Sequence, residues 1–244
     1  MRVLVVGGAG KLGHLLVPHL QRAHDVTVAD LNPSAAPEAA RAVGVDVTRF
    51  TEIEKAVRGH DAVIYLAMGR YADWGATNGW AESHFDVNVK GLYLTLRAAG
   101  EAGLTKAVYA GSLSVFTGFL EFGYDLDERE PNAVDAYGLS KALGERVCDA
   151  ASWEHGMGVV ALRLCMPMSD DEWRAYDGEH REIMTAASDV AAAFAAALDR
   201  ETRAYERYTI SGDWEGRYLD PRPALNGLGW IAQMRRESVE GGNR

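Results

Sequence analysis

The stretch R-V-L-V-V-G-G-A-G-K-L-G, residues 2–13, decides how the rest of the chain is read. Val3, Leu4, Val5 and Val6 form an unbroken apolar run, the pattern of a strand covered on both faces in the middle of a parallel sheet. Gly7, Gly10 and Gly13 follow at three-residue spacing, and Leu12, Leu15, Leu16 and Leu20 recur at helical intervals. The turn therefore joins a strand to a helix. Glycines let the backbone turn tightly and approach a pyrophosphate, while the helix N-terminus offers that charge free N–H groups and a positive dipole end. The spacing differs from G-x-G-x-x-G, and in a chain with 26 glycines the spacing alone proves little. Its context carries the reading.

Residues 24–30 (H-D-V-T-V-A-D) read as a second strand ending in an acid, seventeen positions beyond Gly13, where a ribose-binding carboxylate belongs. Asp30 would accept hydrogen bonds from both hydroxyls of an adenosine ribose and repel a 2′-phosphate, which favours NAD over NADP. Leu31, Asn32 and Pro33 offer no cation; Lys11, inside the turn, is the one residue that softens the preference. A solvated strand-end aspartate is the alternative.

The alternation of strand and helix continues. Residues 31–42 read as loop or short helix, 44–47 as a brief third strand, 51–59 as a helix and 61–68 (D-A-V-I-Y-L-A-M) as a fourth strand. Asp46 would accept an adenine amino group or else cap the following helix. Val47, with Leu66 and Ala67 at the end of the fourth strand, completes the candidate cofactor set. Residues 69–85 break the rhythm as a loop holding Tyr71, Trp74, Trp80, His84 and Phe85. It follows the carboxyl end of a strand, where open α/β sheets bind ligands, so these aromatic residues, Trp74 foremost, are a candidate substrate wall or lid. Core packing and a partner interface are the other readings. A helix over 86–102, a strand over 107–110, a polar loop over 121–135, a helix over 136–151 and a sixth strand over 158–164 follow.

A chain of 244 residues suffices for one well-cored domain, and the unbroken α/β pattern predicts a single domain over 1–244. A net charge of −10 without a basic cluster argues against nucleic acid and anionic membrane surfaces. Neither a signal peptide nor a span-length apolar run is read. Cys148 and Cys165 lack C-x-x-C spacing and read as reduced thiols in a cytoplasmic protein. The seven histidines form no ligand-like cluster, so no metal is expected.

Tyr137 and Lys141, in Y-G-L-S-K, stand four apart on the predicted 136–151 helix and share a face. A nearby ammonium, helped by a positive nicotinamide ring, would lower the phenol's pKa toward the working range. Tyr137 then becomes a proton acceptor from an alcohol or a donor to a carbonyl. Ser112, at the end of the fifth strand, would hold the reacting oxygen, and Lys141 would reach the nicotinamide ribose.

The segments V-G-G-A-G-K-L-G, D-A-V-I-Y-L-A, F-D-V-N-V-K-G-L-Y, G-S-L-S-V-F and Y-G-L-S-K-A-L-G-E together resemble the extended short-chain dehydrogenase/reductase superfamily, in its NAD-dependent epimerase/dehydratase branch. The resemblance covers about two thirds of the chain. It implies a Rossmann-type doubly wound parallel sheet of about seven strands, a Ser112, Tyr137 and Lys141 catalytic set, and a homodimer formed through two helices per subunit. It also implies that Asn88 supports the active-site end of its helix; an ordinary polar helix residue is the alternative. Val6 stands where threonine is frequent, which matters little beside the glycines.

Only about eighty residues follow the sixth strand, little protein to hold a nucleotide sugar. Residues 170–182 are polar and aromatic, 188–198 read as a helix capped by Ser188 or Asp189, 208–211 as a strand, and the glycine-rich end as a tail. Residues 165–235 would form a reduced substrate-binding portion. The W-R pair at Trp173–Arg174 and L-G-W near the end resemble uronate dehydrogenases more loosely. That likeness makes Arg174 a candidate partner for a sugar carboxylate, against the plain reading that it neutralises Asp170, Asp171 and Glu172. The expected activity is NAD-dependent hydride transfer at a hydroxyl or carbonyl carbon of a small polar, sugar-like substrate, including a uronic acid. An epimerase that retains its NAD and a non-catalytic dinucleotide sensor are the alternatives; the intact Ser-Tyr-Lys set counts against the sensor.

Overall fold

The computed structural model describes residues 1–38, 40–72, 74–122, 127 and 129–236. Strand β1 (Arg2–Val6) leads through the glycine turn into helix α1 (Lys11–Leu20), followed by β2 (Asp25–Asp30), a 3-10 turn (Pro33–Ala35), β3 (Arg41–Gly44), α2 (Phe50–Val57) and β4 (Ala62–Tyr65). Then come α3 (Asn78–His84), a π-helical stretch (Phe85–Gly91), α4 (Leu92–Glu101), β5 (Lys106–Ser112), α5 (Phe119–Phe122), α6 (Ala136–His155) and β6 (Gly158–Leu164). The remainder holds β7 (Pro167–Met168), α7 (Asp170–Ala175), β8 (Thr185–Ala186), α8 (Ala187–Asp199), β9 (Tyr205–Ile210) and α9 (Arg222–Leu228).

Seven parallel strands form one sheet in the order β3-β2-β1-β4-β5-β6-β9. Strand order reverses between β1 and β4, and at such a switch point the carboxyl ends of the strands part into a crevice. The uniform apolarity of β1 has its explanation in the two packed faces. Val3 and Val5 face Leu16, Val28 and Phe194 on one side, whereas Leu4 and Val6 face Val63, Leu96 and Cys148 on the other. All four β1 residues are fully buried, each contributing about 1.5–3 kcal/mol.

Several boundaries differ from the sequence expectation. The third strand is Arg41–Gly44, registered on Thr27 to Asp30, not 44–47. The chain leaves the sheet once the Asp46 carboxylate accepts from Thr48 N (2.9 Å) and Thr48 Oγ1 (2.7 Å). Residues 69–85 are not all loop: the Thr77 hydroxyl caps α3 by accepting from Trp80 N at 3.1 Å. Helix, π-stretch and α4 then run on without a break. The π-stretch is pinned by the buried Tyr65 hydroxyl, which donates to the Val87 carbonyl at 2.6 Å. Neither Ser188 nor Asp189 caps α8, whose N-cap is Ala186. Asp189 instead accepts from Gln233 N and Met234 N at 2.9 and 3.0 Å, fastening the C-terminal segment to that helix. The predicted glycine-rich tail and part of the 121–135 loop lie outside the described residues.

Candidate active site

A cavity of about 1370 Å³ follows the carboxyl edge of the sheet, from Asp30 and Asp46 past the glycine turn to Ser112, Tyr137 and Lys141. Its first half is shaped by backbone. Gly7 adopts φ +81, and a Cβ there would stand 2.3 Å from the Ala67 nitrogen. A Cβ at Gly13 would stand 2.0 Å from the Gly8 carbonyl oxygen, so the helix could not approach the turn. Gly10 is the N-cap of α1 and no side chain caps it, leaving first-turn N–H groups for an anion in the cavity.

Asp30 is held at the rim by Ala9 N to Oδ2 and Asn32 N to Oδ1, both 3.0 Å, with lone pairs remaining on each oxygen. Asp46 also lines the cavity while bonding Thr48, so the two sequence readings of it coexist; those bonds hold its pKa below the ordinary value. Lys11, Leu12, Val47, Leu66 and Ala67 complete this half. Across the cavity, Glu172 on α7 feels the Lys11 charge, its carboxyl lowered first by the Ser169 bonds and then by that cation. The uncapped helix start at Gly10 on the cavity wall and the placed Asp30 carboxylate fit a dinucleotide.

The second half is built from side chains. Asp135 caps α6 by accepting from Gly138 N at 2.9 Å, which sets the phase of Tyr137 and Lys141 on one helical face. Lys141 is buried, and its ammonium donates to the Ala110 carbonyl at 2.8 Å. Burial brings its pKa down to about 8. Ser112 shares the cavity lining with Tyr137 and favours its ionised form, and Ser112 Oγ accepts from Ser114 N at 3.1 Å.

The expected lowering of the Tyr137 pKa by Lys141 is not what the structure gives. Burial raises it, Ser112 opposes that shift and Asp135 adds to it. The Lys141 nitrogen stands 5.9 Å from the Tyr137 ring centroid and its charge is directed to a carbonyl, so most of any phenolate stabilisation is left to Ser112 and to a cationic ligand.

Asn88 is fully buried, in contrast to the reading of it as an ordinary polar helix residue. Its Oδ1 accepts from Gly69 N at 3.1 Å and its Nδ2 donates to Ser140 Oγ at 2.9 Å. Trp74 lines the cavity with its ring 4.9 Å from Tyr137, next to Trp80 at 5.1 Å and His84 at 5.6 Å. Tyr71 of the same aromatic loop shares the lining, as do Phe119, Met166, Met168 and Tyr176, which the sequence did not single out; Met166 has a strained backbone, φ 44. A sequence pattern gives no signal for them beyond their place after strand ends.

Arg174 requires a correction. Its guanidinium pairs with Asp171 at 2.8 Å, is 57% exposed, and lies outside the lining, which runs along Glu172, Ala175 and Tyr176. The capping box of Ser169 and Glu172 fixes the phase of α7 and turns Arg174 outward. A buried arginine also went unread: Arg163 on β6 is fully enclosed and donates to both Glu145 oxygens at 2.7 Å, tying α6 to the sheet beneath the site.

Fold and site together define a dinucleotide-binding α/β enzyme with a Ser-Tyr-Lys constellation. The chain belongs to the NAD dependent epimerase/dehydratase family, whose model matches residues 3–194. It is 29% identical over 196 residues to an L-arabinose 1-dehydrogenase (NAD(P)(+)) of Haloferax volcanii, covering 75% of this chain and 73% of that protein. A short-chain dehydrogenase/reductase superfamily protein from Agrobacterium tumefaciens, solved with bound NAD, shares the fold with a TM-score of 0.80 at 20% identity, covering 96% of this chain and 93% of that one. Uronate dehydrogenase from Agrobacterium tumefaciens shares it with a TM-score of 0.77 at 19% identity, covering 96% and 84%.

Proposed function

We propose that the chain is an NAD-dependent dehydrogenase that oxidises a hydroxyl-bearing carbon of a small polar, sugar-like molecule. The observation that carries this reading is that Ser112, Tyr137 and the buried Lys141 line the same cavity that the glycine turn enters. Tyr137 takes the hydroxyl proton, Ser112 holds the oxygen, and Lys141 keeps positive charge under the site. The carbon gives up its C–H electron pair as hydride, and the carbonyl forms. NAD, when bound, supplies the acceptor for that hydride. Asn88 holds Gly69 and Ser140 in place around Tyr137.

NAD is favoured over NADP because the Asp30 carboxylate would accept from the ribose hydroxyls and repel a 2′-phosphate, and Leu31, Asn32 and Pro33 supply no cation. On the substrate side, residues 165–235 contribute Met166, Met168, Tyr176 and Asp177. The rings of Trp74, Tyr71 and Tyr176 suit the C–H faces of a sugar. Among the described lining residues the cations are Lys11, which lies at the glycine turn, and Lys141, which donates to the Ala110 carbonyl; neither faces the substrate half as a free partner for a carboxylate, which supports a neutral sugar over a uronic acid. Tyr93 on α4 and the outward stripe of Leu139, Leu143 and Trp153 on α6 are exposed, supporting a homodimer through these helices. Among the described residues no helix is long and apolar enough to cross a membrane.

Following NADH formation with aldoses, uronic acids and small alcohols tests the reading. NADH from an aldose or alcohol, lost by about 10²–10⁴-fold in Tyr137→Phe with NAD affinity kept, is expected. Undiminished turnover in that variant contradicts it, and sugar interconversion without net NADH selects the epimerase.

A further inference from the structure

His84 stands outside the catalytic set, yet it is completely enclosed and sits where α3 passes into the π-stretch. Its Nδ1 lies 3.1 Å from Asn88 Nδ2. The Asn88 oxygen is already directed at Gly69 N, so the end facing His84 and Ser140 is the amide nitrogen, which only donates. Nδ1 must then be the acceptor, and the ring is neutral with its proton on Nε2. Burial first and Lys141 second hold its pKa below the ordinary value, in agreement with that state.

Nε2 is buried without a hydrogen-bond partner, and the Arg70 carbonyl nearby lacks the geometry of one. Burying an unsatisfied N–H is unfavourable, and an apolar ring would fill the same space without that penalty. Packing alone therefore does not account for a histidine here; its Nδ1 lone pair does. The bonds continue from Asn88 to Ser140, whose hydroxyl donates to the Tyr137 carbonyl at 2.8 Å. A Cβ at Gly69 would fall 2.7 Å from the His84 nitrogen, so the start of the Trp74 loop rests directly on this helix. The ring itself meets Trp80 at 4.4 Å, Tyr137 at 5.5 Å and Trp74 at 5.6 Å.

We propose that His84 is a positioning residue, whose neutral Nδ1 fixes the Asn88 amide and thereby sets the Trp74 loop and the first turn of α6 in register around Tyr137. The inference rests on the dehydrogenase reading. His84→Asn keeps an acceptor near the Nδ1 position and removes the ring; His84→Phe keeps a ring and removes the acceptor. With the substrate found by the NADH screen, kcat falls by about tenfold in His84→Phe and largely recovers in His84→Asn, which shows a raised KM instead. NAD affinity is unchanged in both. Full kcat in His84→Phe, or the same kcat loss in both variants, overturns the proposal.

Histidine NMR of the isotope-labelled wild-type protein supplies a readout that needs neither turnover nor a folded variant. A proton on Nε2 and none on Nδ1 of His84 at neutral pH is expected, and a protonated Nδ1 overturns the proposal. Failure of the wild-type protein to oxidise anything defeats the dehydrogenase reading, while the tautomer still decides the role of Nδ1.

Discussion

The cavity has two ends made of different material. Around the glycine turn the polar groups that face a ligand are mainly backbone N–H groups and the Asp30 and Asp46 carboxylates, supplied by the run from β1 to just past β3. Around Tyr137 they are side chains brought from the 69–77 loop, β5, α5, α6 and the segment after β6. The first end tolerates almost no added volume, since a Cβ at Gly7 or Gly13 would overlap backbone. The second is an aromatic nest in which Trp74 is half exposed. The groups facing a dinucleotide are thus set largely by backbone, whereas those around Tyr137 are side chains, each of which can change without disturbing the turn.

The largest effect should come from adding volume to the backbone end. Gly7→Val places a β-branched residue at φ +81 against Ala67, and such strain alone costs about 1–3 kcal/mol before the overlap is counted. NAD binding by calorimetry and the melting temperature should fall together; retention of both would break the contrast between the ends. Next, Asp30→Asn removes a charge-assisted pair of ribose contacts worth roughly 1.5–3 kcal/mol, so NAD affinity should drop about tenfold or more and the preference over NADP should shrink. Equal NAD affinity would show that the carboxylate only holds Ala9 and Asn32.

A smaller effect is expected in the pH dependence of stability. Lys141 has an ordinary pKa of 10.5 and a folded one of about 8, so between those values the unfolded chain binds more protons. Stability contributed by this group therefore rises as pH increases from about 8. Burial raises the pKa of Cys148 and Cys165 above their ordinary 9.0 and of Tyr65 and Tyr109 above 10.0, which opposes the trend from about pH 9 upward. Denaturant unfolding at successive pH values should show the rise between about 8 and 9 and its loss in Lys141→Met. The smallest change is expected for Trp74→Ala: KM several-fold higher, NAD affinity unaltered and kcat reduced less than KM is raised. A weakened NAD affinity would mean that the two ends are not independent.

The backbone end was legible because its determinants are local. A strand, three glycines, a helix and an acid occur in order within thirty residues, and the sheet followed from the same alternation. Ser112, Tyr137 and Lys141 were legible through helical spacing and strand ends. Arg174 was not, because its direction depends on the phase of α7, set by a capping box whose consequence for the neighbouring cleft no spacing reveals. His84 was visible only as one aromatic among several, since α3 had been read as loop and the i, i+4 relation to Asn88 across the π-stretch was hidden. The third strand shifted by three residues because the register on β2, not composition, decides where pairing ends.

In the proposed reaction a substrate hydroxyl loses its proton to Tyr137 while the carbon that bears it loses hydride to a nicotinamide in the same cavity. The most direct measurement is the fate of deuterium placed on the oxidised carbon of a substrate found by the NADH screen. Deuterium recovered in the reduced nicotinamide, with turnover slowed by the label and abolished in Tyr137→Phe, is the predicted result. Product formed by the wild-type protein with no deuterium in the nicotinamide would contradict it.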